Sequence, residues 1–124
     1  MIRRHKYGVA PRERRTYNGV VYHSRAEAIR ASELDLLLRA GEIVAWTRQA
    51  NVQLGDIEYI ADFEVVDLDG DPRPIFHYEE VKGIETPKTK LILRLWPKYG
   101  PAPLKLMRRK GTGWVTKIIE GAKR

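Results

Sequence analysis

From Ile57 to Val65 the chain alternates side chains with a period of two, and this stretch limits the possible folds more than any other. Alternation of that kind belongs to a β-strand: Tyr59, Ala61, Phe63 and Val65 are expected on one face, and Ile60, Asp62 and Glu64 on the other. Strand-like stretches flank it on both sides, roughly Ile43–Leu54 and Pro74–Lys82. Gly55-Asp56 separates the first pair, and Leu68-Asp69-Gly70-Asp71-Pro72 supplies turn chemistry between the second pair. Three consecutive strands need a cover, and the sequence on either side of them provides it.

Before the strands, Ser24-Arg25-Ala26-Glu27 reads as a capping box, and Gly41 has the character of a left-handed C-terminal stop. Ile29, Leu36 and Ala40, with Ala26 and Leu37, fall near one stripe of the intervening helix, and Leu34 and Leu38 widen it. After the strands, Thr86 caps a helix from Pro87 to about Trp96, which Pro97 and Gly100 end. Leu104–Arg109 and Trp114–Ile119 form two further strands, and Tyr17-Asn18-Gly19-Val20 carries a hairpin signal ahead of the first helix. The expected fold is therefore α/β, a mixed central sheet flanked by helices. Residues 1–13 are expected to form a flexible basic arm, and 14–124 a single domain.

Charge is segregated along the 124 residues. Residues 1–15, 16–85 and 86–124 carry local balances of +5, −8 and +10, within a net +7. An acidic centre between basic ends suits carboxylates held beside a bound polyanion, for which metal ions are the usual bridge; a solvated surface with segregated charge would read the same way. Without cysteine there is no disulfide framework and no zinc–thiolate site. No apolar run reaches the roughly 20 residues of a membrane span, and the start lacks a secretory signal. A cytoplasmic protein without a membrane partner is expected.

In Phe76-His77-Tyr78-Glu79-Glu80-Val81-Lys82-Gly83, alternation groups Tyr78, Glu80 and Lys82 and turns Glu79 and Val81 away. Pairing through the 68–72 turn would bring Asp62, Glu80 and Lys82 to one end of the sheet. Mg²⁺ takes hard oxygen ligands, which Asp62, Glu80 and the Val81 carbonyl can supply, while Lys82 can orient water or stabilise a phosphorane. An exposed Asp beside a cross-strand Glu–Lys pair carries the same letters. Glu27 has two readings as well, a further carboxylate for this site or only the third position of a capping box. Glu33 and Glu42 read as solvated, and Glu79→Gln is expected to be mild because Glu79 faces away. The histidines, His5, His23 and His77, have no paired ligand spacing. Asp67–Asp71 reads as an acidic turn and not a calcium loop. Arg48-Gln49 reads as a strand-edge polar pair.

Tyr59-Ile60-Ala61-Asp62-Phe63 followed by Glu79-Glu80-Val81-Lys82-Gly83 resembles the PD-(D/E)XK nuclease core. With Ser24-x-x-Glu27-Ala28-x-Arg30-x-x-Glu33-Leu34 ahead of it, the chain is similar to small phage-encoded endonucleases, relatives of phage endonuclease I and of archaeal-type Holliday junction resolvases. The likeness runs from about Lys6 to Arg109 and departs from the superfamily pattern at Ala61, where a proline is usual. It implies a restriction-endonuclease-like αβββαβ core, Asp62 and Glu80 binding Mg²⁺ (with Mn²⁺ able to substitute), a catalytic Lys82, and Glu27 in the metal site. It also implies branched or four-way DNA as partner and, for a phage protein, the host cytoplasm as location. Arg3, Arg4 and Lys6 in the arm and Lys88, Lys90 and Arg94 in the second helix are the expected phosphate contacts. A homodimer is expected, since resolving a junction takes two opposed cuts. The alternatives are a non-catalytic nucleic-acid-binding protein and a restriction- or repair-type nicking nuclease.

Overall fold

A computed structural model describes residues 10–68, 75–81 and 86–123. Arg3, Arg4, Lys6 and Lys82, four of the expected site residues, lie outside them, as does most of the acidic turn. A short 3-10 turn at Arg12–Arg14 leads into the hairpin of β1 (Thr16–Tyr17) and β2 (Val20–Val21). Asn18 and Gly19 take φ of 50° and 78°, the paired left-handed conformation that a two-residue hairpin turn demands. Helix α1 (Arg25–Arg39) starts on the complete Ser24–Glu27 capping box. Strands β3 (Ile43–Leu54), β4 (Ile57–Asp67) and β5 (Ile75–Val81) follow, then α2 (Pro87–Tyr99), β6 (Leu104–Lys110) and β7 (Gly113–Ile119). Helix α2 passes Pro97 and ends three residues beyond the expected stop, with the Gly100 N–H closing on the Trp96 carbonyl.

The five main strands lie side by side in chain order, β3-β4-β5-β6-β7, antiparallel except for β5 and β6, which run parallel across α2. The chain is thus a mixed α/β structure with a five-stranded mixed sheet. Among the described residues no helix is long and apolar enough to cross a membrane.

Cross-strand partners share a face. Phe63 opposes Glu79 and Val65 opposes His77, and Glu79 meets α1 through Arg30; Glu64 opposes Tyr78, whose ring packs 5.6 Å from Trp96 of α2. The two helices therefore cover opposite faces. Under α1, Ala28, Ala31 and Leu34 meet Phe63, Val65 and Val81; under α2, Ile92 and Trp96 meet Tyr59, Ala61, Tyr78 and Leu104.

Two expectations are corrected here. Tyr59, Ala61, Phe63 and Val65 do not pack as one set: the first two join the α2 cluster and the last two the α1 cluster. The change falls at Asp62. Its position on β3 is matched by Gln49, whose φ of 54° interrupts the ladder between Arg48↔Phe63 and Ala50↔Ala61. Strand β3 changes cover at the same point, with Trp46 packing under α1 and Ala50, Val52 and Leu54 under α2. The stripe on α1 is also displaced. The helix buries Glu27, Ala28, Ala31 and Leu34, whereas Leu36 is 61% exposed and Leu38 39%. Two alanines let the helix lie close to the sheet, and Asp35 fixes its rotation by accepting from Tyr17 Oη (2.6 Å) and Trp46 Nε1 (2.9 Å).

Candidate active site

Strands β4 and β5 are paired from Asp67↔Ile75 to Phe63↔Glu79 and then separate. At the fork the Val81 N–H donates to Asp62 Oδ2 (2.7 Å), a donor that a continued ladder would have given to a backbone carbonyl. The face change at Asp62 and the end of the pairing are therefore one event. It frees a carboxylate to lie between two strands.

Glu80, on the α2 side of β5, accepts a hydrogen bond from Tyr59 Oη, and the backbone N–H of Asp62 also favours its charged form. Glu27 is 7% exposed, and its Oε2 accepts from the Ser24 N–H (3.1 Å) in the capping box. The same side chain shares a hydrogen bond with Asp62, so its cap role and its place beside the acidic pair coexist. Three elements, α1, β4 and β5, thus each bring one carboxylate to the fork.

Burial pushes the Asp62 carboxyl well above the usual carboxylate range, and the hydrogen bond with Glu27 and the charges of Glu80 and Glu27 add to this. Burial raises Glu80 too, against the opposing effects of the Tyr59 phenol, the Asp62 N–H and the Lys88 charge. Tyr59 is itself raised, by burial and then by Glu80, and stays a donor. Burial and neighbouring charge thus both weigh against the ionised forms of Asp62 and Glu80. Among the described residues, no three His, Cys, Asp or Glu side chains are gathered as ion ligands. The three carboxylates instead hold donors from the chain.

A cavity of about 130 Å³ lies beside Glu80, lined by Tyr59, Lys88, Thr89, Ile92 and Leu104 among others. Lys88 is exposed and, of the three expected phosphate contacts on α2, is the one whose charge acts on Glu80. Lys90 and Arg94 are exposed along the same helix. Val81 contributes its N–H to Asp62, and its side chain packs under α1.

Glu79 faces away from the fork as expected but is no bystander. It is fully buried, takes Arg30 Nε (2.6 Å) and Nη2 (2.9 Å), and meets His77 Nε2 (2.7 Å), whose Nδ1 lies 2.7 Å from Asp67 Oδ2. Burial alone would raise its carboxyl, but Arg30 and His77 prevail and hold it at about 2. Glu79→Gln, expected to be mild for cleavage, is from this pairing expected to cost folding stability. Glu33, expected to be solvated, accepts from Trp114 Nε1 (2.7 Å) and Arg30 Nη1 (3.2 Å). Arg48 does lie on an edge strand, β3, and its guanidinium stacks 4.7 Å from the centre of the Tyr22 ring.

Sequence reasoning missed Tyr59, Arg30 and His77. Tyr59 fits an apolar position in the alternation, and the only local signal for Arg30 was its place three residues after Glu27 on the helix. Comparisons with protein-family models, with curated proteins and with solved structures found no match.

Proposed function

We propose that this chain is a metal-dependent, structure-selective DNA endonuclease that resolves four-way or branched junctions. The observation that carries the reading is the meeting of Glu27, Asp62 and Glu80, from three different elements, where β4 and β5 part. Placing carboxylates together at a fork costs stability unless a cation joins them, and strongly basic stretches on either side supply the attraction for a polyanion. Asp62 and Glu80 would hold Mg²⁺ or Mn²⁺, with Glu27 and the Val81 carbonyl completing the oxygen set. When bound, the ion would supply a lowered pKa for water and would neutralise charge on the phosphate.

The chain's own groups orient the carboxylates. The Val81 N–H fixes Asp62, the Ser24 N–H fixes Glu27, and the Tyr59 hydroxyl fixes Glu80. Lys88 brings a cation to the cavity beside Glu80, where a phosphate would approach, and Lys82, next after Val81, is assigned to the transition state. A restriction-endonuclease-like core and a symmetric homodimer belong to the same proposal.

The test is a cleavage assay on junction, flap, single-stranded and linear duplex DNA, with Mg²⁺, Mn²⁺ or chelator, for wild type and Asp62→Asn. Metal-dependent cutting of junctions, abolished in the variant, is expected. Binding without cutting in either metal would make the chain a nucleic-acid-binding protein, and fixed-sequence nicking of linear duplex a restriction- or repair-type enzyme.

A further inference from the structure

We infer that Arg15 and Arg48, gathered on Tyr22, form a phosphate site that holds a backbone phosphate of DNA beside the acidic fork. Both residues touch the same buried tyrosine. Arg15 Nη1 donates to the Tyr22 carbonyl (2.8 Å), and the Arg48 guanidinium stacks 4.7 Å from the ring centre. The Nε of each is buried and has no hydrogen-bond partner. Neither guanidinium has an ion pair among the described residues, whereas Arg30 and Arg109 each meet a carboxylate.

A buried donor left unmade costs about 1–3 kcal/mol, more when charged, and such exceptions in folded proteins point to an absent ion or water. Two of them, both on guanidinium, favour an anion with several oxygens, which the planar fork of Arg can meet with paired donors.

The location favours a DNA phosphate. Arg48 pairs with Phe63 on β4, one residue from Asp62, and Tyr22 stands two residues before the Ser24 cap that leads to Glu27. Arg15 closes the basic segment 1–15, so the site joins that segment to the fork. This assignment rests on the nuclease reading only for the identity of the polymer. The anion site itself does not.

The experiment follows the arginine Nε–H resonances of the full-length, metal-free protein by ¹⁵N–¹H spectroscopy, assigned by their loss in Arg15→Gln and Arg48→Gln. Saturable shifts of both signals with inorganic phosphate, and tighter ones with junction DNA in chelator, are expected. In metal-free DNA binding each Gln variant should lower the slope of log affinity against log salt by about one. Arg48→Lys keeps the charge and should keep the slope while weakening affinity, because an ammonium lacks the fork. Should a Gln variant fail to fold, Arg15→Lys or Arg48→Lys supplies the assignment, since lysine has no Nε–H resonance in the arginine region, and the wild-type titration decides. Resonances unmoved by both ligands would overturn the site in favour of water, and a response to phosphate without a response to DNA would overturn the assignment to a nucleic acid. Intact shifts in a protein that cuts no DNA would uphold the phosphate site and dismiss only the nuclease.

Discussion

Glu79→Gln exchanges one carboxylate oxygen for an amide nitrogen in the middle of a buried row of charges, Asp67, His77, Glu79 and Arg30. The wild-type carboxyl is held at about 2 against an ordinary 4.5. At about 1.4 kcal/mol per tenfold in proton affinity, the fold favours the ionised form by about 3 kcal/mol. That matches the roughly 3–5 kcal/mol lost when one partner is removed from a buried pair. Gln also turns an N–H₂ toward a donor on Arg30 or His77. At neutral pH the variant should lose about 3 kcal/mol, or about 10 °C in Tm for a chain of this length. The folded-state pKa lies below the unfolded one, so the stabilisation is complete above about 4.5 and fades as pH falls toward about 2. Urea titrations across that range should show wild type and variant converging at the acid end, with unchanged m. A loss under about 1 kcal/mol, the range of solvent-exposed pairs, or a constant gap down to the lowest pH, would refute the reasoning.

The Asp62 carboxyl is raised by burial, so the metal-free protein binds more protons than the unfolded chain and loses stability as pH rises from the ordinary carboxylate range up through the raised folded-state value. Asp62→Asn should therefore raise the metal-free Tm at neutral pH, and added Mg²⁺ should raise the Tm of wild type alone; a lower Tm in the variant would contradict this. Lys88→Ala with Lys90→Ala should weaken DNA binding and lower its salt slope by about two, which filter binding across salt concentrations measures. Sedimentation should give twice 14.3 kDa, and a cruciform plasmid should go directly to linear product; a monomer that releases nicked circles first would refute the dimer.

Local chemistry made most elements legible. The Asn18-Gly19 turn, the Ser24–Glu27 box, the Thr86 cap and the three central strands each announce themselves within a few residues, and the pairing through the 68–72 turn followed from them. That Asp62 and Glu80 stand near one another was legible from the expected pairing of β4 with β5. The change of cover at Asp62 was not, because it depends on a left-handed Gln49, a residue whose type carries no such signal. Arg30 and Glu79 are 49 residues apart, and the pair forms only once α1 lies on the sheet. The stripe on α1 was misplaced because leucines were weighed above alanines, while the close approach of the helix selects for small side chains.

The order of the strands has a kinetic consequence. Every neighbour in the sheet is also a neighbour in sequence, and the long β3–β4 hairpin closes across only Gly55-Asp56. Short-range closures are fast, whereas the parallel β5–β6 step waits for all of α2 to form and return the chain. From this topology the transition state is expected in the β3–β4 ribbon: stopped-flow measurements should find that substitutions there slow refolding, while those in α2 or β6 chiefly hasten unfolding. Glu80 lies on the strand that must accept the late partner. The acidic fork is thus completed on the β5 side of the ribbon that carries Asp62, outside the element that closes first.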